Sequence, residues 1–127
     1  MLALIIDDSP AMRHVLRRTL APLGFDAYEA GNGREALDLL GKVGKLPDLV
    51  TVDWNMPEMN GLDFIRAVRR VPAYRDMWLL MCTTESENAQ VVRALAAGAH
   101  EYVIKPFTSD TIRDKLRYLG LVSLART

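Results

Sequence analysis

An α/β fold, one parallel sheet covered by helices on both faces, is predicted by three observations. Short aliphatic runs begin near Leu2, Phe25, Asp48, Met77 and Glu101, and a stretch of helical period follows each. The third and fourth runs are almost continuously apolar, as strands buried on both faces must be. The whole alternation fits in 127 residues without a Ser/Gly/Pro-rich linker or low-complexity segment, so 1–127 reads as a single domain.

Each helix carries its own punctuation. Ser9 is placed to cap the first, with Pro10 at its first position, and Met12, Val15, Leu16, Leu20 and Leu23 recur on one face until Gly24. Asn32 stands three residues before Glu35, a capping-box-like start for the helix carrying Ala36, Leu37, Leu39 and Leu40, which Gly41 and Gly44 weaken at its end. Asn60, Ser86 and Thr108 mark the remaining starts, and Gly98 and Gly120 the ends of the fourth and fifth helices.

Composition excludes several function classes. Sixteen Lys and Arg balance sixteen Asp and Glu, so no global field draws in nucleic acid or anionic lipid. The richest basic run, "RAVRRVPAYR" at 66–75, reads as a solvated helix face. Cys82 stands alone inside "MWLLMC" and reads as a core thiol of a reduced, intracellular protein. The opening "LALII" is too short for a signal sequence or a membrane span, and a cytoplasmic location is expected.

In a parallel sheet the carboxyl ends of all strands share one edge, and ligands of open α/β sheets bind there. The residues just past the strands therefore belong together: Asp7 and Asp8, Asp53, Thr83 and Thr84, and Lys105. Singly, Asp8 before "SP" fits a helix entrance, Thr83 a cap and Lys105 a surface position. Three carboxylates brought together repel by about a few kcal/mol per pair at an effective dielectric near 20, a cost that calls for compensation. Oxygen ligands with no thiolate or imidazole beside them suit Mg²⁺. His14 and His100 fall on a helix and before a strand, and neither reads as a ligand.

The stretches "IIDDSPAMR", "LVTVDWNMPEMNGLDFIR", "LLMCTTESE" and "AAGAHEYVIKPF", in this order and spacing, resemble the receiver domain of two-component response regulators, in particular stand-alone chemotaxis-type receivers. The resemblance covers essentially the whole chain. It implies a doubly wound (βα)₅ flavodoxin-like fold, with a five-stranded parallel sheet in the order 2-1-3-4-5.

It further implies a phosphorylation-dependent switch in which Asp53 is the phosphoacceptor, taking its phosphoryl group from a sensor histidine kinase or a histidine phosphotransfer domain. By the same resemblance, Asp8 and Asp53 ligate Mg²⁺ together with the backbone carbonyl of Asn55, and Asp7 acts through water. Lys105 neutralises a phosphoryl oxygen, Thr83 binds another, and a cis peptide is expected before Pro106. Tyr102 matches the aromatic switch position, its other reading being a strand residue packed on the fourth helix. The output to a downstream effector protein runs through helix four, strand five and helix five. The kinase side docks on the first helix, with Met12 and Val15 for apolar contact and Arg13 or Arg17 for charge.

Asn55, Thr84 and Glu85 occupy positions that vary among receivers and bear on the lifetime of the phosphate, and Thr84 is larger than the residue common there. His100 stands where an acidic or small residue is frequent. A haloacid dehalogenase-type phosphohydrolase also uses an aspartyl phosphate, but Asn55, two residues after Asp53, cannot act as an acid or base. Slow autodephosphorylation is expected in place of conventional enzyme turnover. A binding module that has kept only the fold is disfavoured by the presence of Asp8, Asp53, Thr83 and Lys105 together. A flavin site is disfavoured by the acidic "DDS" where a phosphate-cradling loop would lie.

Overall fold

In the computed structural model the described residues are 1–84 and 88–121, with only the backbone described for 88–90. Strands β1 (Leu2–Ile6), β2 (Asp26–Ala30), β3 (Leu49–Asp53), β4 (Trp78–Thr83) and β5 (Glu101–Ile104) alternate with helices α1 (Pro10–Leu20), α2 (Gly33–Leu40), α3 (Gly61–Arg69), α4 (Asn88–Ala97) and α5 (Ser109–Tyr118). All pairings are parallel and the sheet runs β2-β1-β3-β4-β5, the order the resemblance implies. Strand β1 thus lies between β2 and β3, where the winding reverses and a crevice opens at the carboxyl edge.

Two apolar layers sandwich the sheet. Leu4, Ile6, Val50, Val52, Leu79 and Met81 point to one side, against Phe64, Ile65 and Val68 of α3, Ala36 and Leu40 of α2 and Ala94 of α4. Ala3, Ile5, Leu49, Leu80, Cys82 and Val103 point to the other, against Leu16 and Leu20 of α1 and Ile112 and Leu116 of α5. Strict alternation along the strands assigns each residue to its layer. All of β3 is buried, so Asp53 continues the inward file begun by Leu49 and Thr51. Cys82 is buried and burial pushes its thiol up to about 12, as expected of a core residue.

The caps fall where the side chains announced them. Ser9 Oγ accepts from Met12 N at 3.2 Å, Asn32 Oδ1 from Glu35 N at 2.8 Å, Asn60 Oδ1 from Asp63 N at 2.9 Å and Thr108 Oγ1 from Thr111 N at 3.2 Å. The start marked at Ser86 lies outside the described residues. Gly98 and Gly120 follow α4 and α5 with φ of 126° and 82°, the left-handed region that favours glycine.

Two expectations are corrected. Val15 is 47% exposed and does not share the buried face of Leu16 and Leu20, because it lies a quarter turn away from the stripe at 12, 16 and 20. The basic run is not uniformly solvated: Arg69 is half-buried, and its guanidinium donates to the carbonyl oxygens of Gly98 at 2.9 Å and Arg75 at 3.1 Å, tying α3 to the turn before β5. Burial lowers the Arg69 pKa from its ordinary value.

Candidate functional site

The carboxyl edge holds the residues the sequence placed there. Asp7 and Asp8 follow β1, Asp53 ends β3, Thr83 ends β4, and Lys105 follows β5. Carboxylate oxygens of Asp7, Asp8 and Asp53 all lie within 4.8 Å of one another. Asp7 and Asp53 are buried and Asp8 is exposed.

Lys105 enters this acidic cluster from the side. Its Nζ donates to Asp7 Oδ2 at 2.9 Å and to Asp53 Oδ1 at 3.1 Å, and only 15% of the side chain is accessible. Burial alone would lower the lysine's pKa, but the hydrogen bonds to Asp7 and Asp53 outweigh it and hold the group above its ordinary value. For Asp53 the balance differs: burial raises its carboxyl, and Lys105 offsets that only in part. The backbone directs the lysine as well, since Lys105 N donates to Thr83 O at 2.7 Å and the Lys105–Pro106 peptide is cis.

The loop after β3 is tied down from both sides. Trp54 N donates to Cys82 O at 3.1 Å and Gly61 N to Trp54 O at 3.0 Å. A Cβ on Gly61 would collide with the Asp53 carbonyl oxygen, so the start of α3 packs directly on the residue carrying the candidate nucleophile. Asn55 and Thr84 are exposed beside this edge, and Glu85 lies outside the described residues.

The donor set fits a hard divalent cation, because every candidate ligand is an oxygen and no imidazole or thiolate joins the cluster. Asp7 is already engaged through both oxygens, Oδ1 accepting from Ser9 N at 2.9 Å and Oδ2 from Lys105. Of the two histidines, His14 is exposed on α1, while His100 Nδ1 accepts from Leu79 N at 3.0 Å, and neither joins the cluster.

Tyr102 is half-buried against the α3–α4 layer, and Lys115 Nζ sits 4.8 Å from its ring centroid while pairing with Glu101 at 3.1 Å. Val15 joins His14, Arg18 and Thr19 of α1 and Ser109 of α5 around a groove of about 280 Å³. Arg13 and Arg17, the candidates for docking charge, pair with Glu29 of β2 at 3.0 and 2.7 Å. Neither Glu29 nor the Arg69 contacts were anticipated, since they join residues far apart in the chain and leave no local pattern.

Compared with known proteins, residues 3–117 match the response regulator receiver domain family. The chain belongs to that family. A "Chemotaxis protein CheY homolog" of Campylobacter jejuni is 47% identical over 114 residues, 89% of this chain and 87% of the relative. "Chemotaxis protein CheY1" of Helicobacter pylori is 43% identical, over 89% of this chain and 91% of its own. Among solved structures, the chemotaxis response regulator CheY4 of Vibrio cholerae superposes with a TM-score of 0.85 at 34% identity, covering 93% of this chain and 97% of the other. The signal receiver domain of a histidine kinase from Syntrophus aciditrophicus gives 0.84 at 32% identity, over 99% and 93%. Membership implies phosphorylation-dependent signalling, and receiver domains act as switches, not as conventional enzymes. Among the described residues no helix is long and apolar enough to cross a membrane.

Proposed function

We propose that this receiver domain, spanning 1–127, is a cytoplasmic chemotaxis-type switch that accepts a phosphoryl group on Asp53 from a histidine kinase or histidine phosphotransfer domain and passes the signal to an effector protein through α4, β5 and α5. The observation that carries the reading is the Lys105 ammonium held between Asp7 and Asp53, with Asp8 alongside. A carboxylate nucleophile needs alignment and charge neutralisation more than a base, and this edge offers both.

Asp8 and Asp53 would hold Mg²⁺ with the Asn55 backbone carbonyl, and Asp7 would act through water. When bound, the cation neutralises charge on the phosphoryl oxygens and orients them for in-line attack. The chain's own groups do the rest. Asp53 supplies the attacking oxygen. Lys105, still bonded to Asp7, follows one phosphoryl oxygen once Asp53 is phosphorylated and the negative charge has moved onto the phosphoryl group. Thr83, at the end of the adjacent strand, donates its hydroxyl to another. That bond draws the segment after β4 inward and gives the Tyr102 ring a second packing, in competition with its present contact with Lys115 Nζ, 4.8 Å from the ring centroid.

Asn55 offers no acid or base to activate water, and Thr84 narrows the approach, so both favour a long-lived acyl phosphate. Glu85 belongs to the same set of lifetime residues. Phosphotransfer profiling of the wild type and Asp53→Asn against the histidine kinases of the source organism tests the reading. Label should pass to the wild type from one kinase or a few and not to Asp53→Asn, whereas labelling of both alike would refute Asp53 as acceptor.

A further inference from the structure

We propose that Arg13, clamped by Glu29, is a positioning residue for the cation site: it fixes the Asp7 carbonyl and, through that peptide, the backbone from which Asp8 reaches the ion. The inference rests on the reading of Asp8 and Asp53 as Mg²⁺ ligands.

The bonds around Asp7 lead to this assignment. Arg13 Nη1 donates to Asp7 O at 2.6 Å, a short charge-assisted bond. Asp7 N donates to Ala30 O at 3.1 Å, while its carboxylate accepts from Ser9 N and Lys105. Asp7 is thus held through its N–H, its C=O and both carboxylate oxygens. Asp8 is exposed, and its direction depends on the peptide that joins it to Asp7. That peptide is planar, so holding the Asp7 oxygen also sets the orientation of the Asp8 N–H and the path the chain takes from there.

Glu29 makes the clamp rigid. Its Oε1 accepts from Arg13 Nε at 3.0 Å and its Oε2 from Arg17 Nε at 2.7 Å, the two arginines standing one helical turn apart on α1. Arg17 Nη2 also donates to Ala27 O at 3.0 Å. The hydrogen bond from Arg17, with that from Arg13, outweighs burial and holds Glu29 below the usual carboxylate range. Edge strand β2 supplies no side chain to the carboxylate–lysine cluster, yet through this clamp and the Ala30 carbonyl it sets the geometry of the first acidic turn. The guanidinium faces Glu29 with Nε and the Asp7 carbonyl with Nη1, two donors held rigidly apart; a lysine ammonium would have to bridge both acceptors from one nitrogen at the end of a flexible stem.

Ion pairs this exposed contribute little to global stability, so a positioning role separates from a structural one. The test titrates Mg²⁺ against wild type, Arg13→Lys, Glu29→Gln, the double variant and Asp8→Ala, following Trp54 fluorescence, with urea unfolding and metal-free amide spectra of Asp8 and Ser9 alongside. Arg13→Lys should weaken Mg²⁺ binding about tenfold and shift the Asp8 amide resonance with the unfolding midpoint nearly unchanged. Glu29→Gln should cost less, and the double variant no more than Arg13→Lys, because Glu29 acts through Arg13. Wild-type affinity in Arg13→Lys, or strictly additive losses, would overturn the clamp; with binding still lost in Asp8→Ala, the switch reading would survive. A wild type that shows no Mg²⁺-dependent change at all would overturn both.

Discussion

Lys105 and Asp53, 52 positions apart in the chain, meet at 3.1 Å on the carboxyl edge of the sheet. The lysine reaches them from beyond the outermost strand, β5, while Asp53 ends the central β3. Its cation compensates two buried carboxylates at once, Asp7 and Asp53.

Removing that cation should be costly in the metal-free protein. Lys105→Ala leaves two mutually repelling buried carboxylates, and breaking pairs this buried should destabilise by about 3 kcal/mol, the lower end of the loss typical of buried pairs. Urea unfolding with and without millimolar Mg²⁺ checks this. Mg²⁺ should restore part of the loss, and phosphate incorporation should persist in part while the response at Tyr102 fails.

Asp53 itself carries a stability cost that depends on pH. Burial raises its folded-state pKa above the unfolded value, so the unfolded chain gives up this proton more readily. Stability is then greatest with Asp53 protonated and declines as pH rises from the ordinary carboxylate range through the raised folded value. Asp53→Asn should therefore be more stable than the wild type at pH 7, with the gain vanishing once pH falls below both values. Parallel unfolding curves at pH 7 and in the acid range decide it.

Thr51 lies two residues before Asp53 on the same inward file, and its Oγ1 is buried with no hydrogen-bond partner among the described residues. An isosteric Thr51→Val removes the unsatisfied hydroxyl and should stabilise the domain by about 1 kcal/mol. Phosphorylation should be unaffected. A loss of stability would show that the hydroxyl has a partner after all.

The contrast between Thr51 and Asp53 shows where the sequence was legible. A carboxylate at the end of an apolar strand is conspicuous, and strand ends place it on a known edge, so the sequence alone groups Asp7, Asp8, Asp53 and Lys105. The caps at Ser9, Asn32, Asn60 and Thr108 were legible because each acts on its own helix within three residues. Thr51 looks like any strand former, and only the packing reveals its hydroxyl as orphaned. Glu29 reaches Arg17 and Arg69 reaches Gly98 across 12 and 29 residues of chain, separations at which local period and composition carry no signal.

His100 offers a second pH signature, opposite in sign to that of Asp53. Its Nδ1 accepts from Leu79 N, its ring lies 4.5 Å from that of Trp78, and the Arg69 guanidinium is beside it. Burial, with Arg69 adding to it, lowers its pKa below the ordinary 6.5. Its contribution to stability is fully present above about pH 6.5 and is lost as pH falls through the lowered folded value. Replacing it by Gln should flatten the wild-type loss of stability between neutral and mildly acid pH, read from unfolding midpoints across that range.

The most direct test of the switch account is phosphate released per mole of protein against time, with a small-molecule phosphodonor and Mg²⁺. The account predicts about one acyl phosphate per chain, on Asp53, followed by slow release, and Asn55→Asp or Thr84→Ala should change the lifetime without producing fast turnover. Rapid multiple turnover of ordinary phosphate monoesters, or incorporation undiminished in Asp53→Asn, would contradict it.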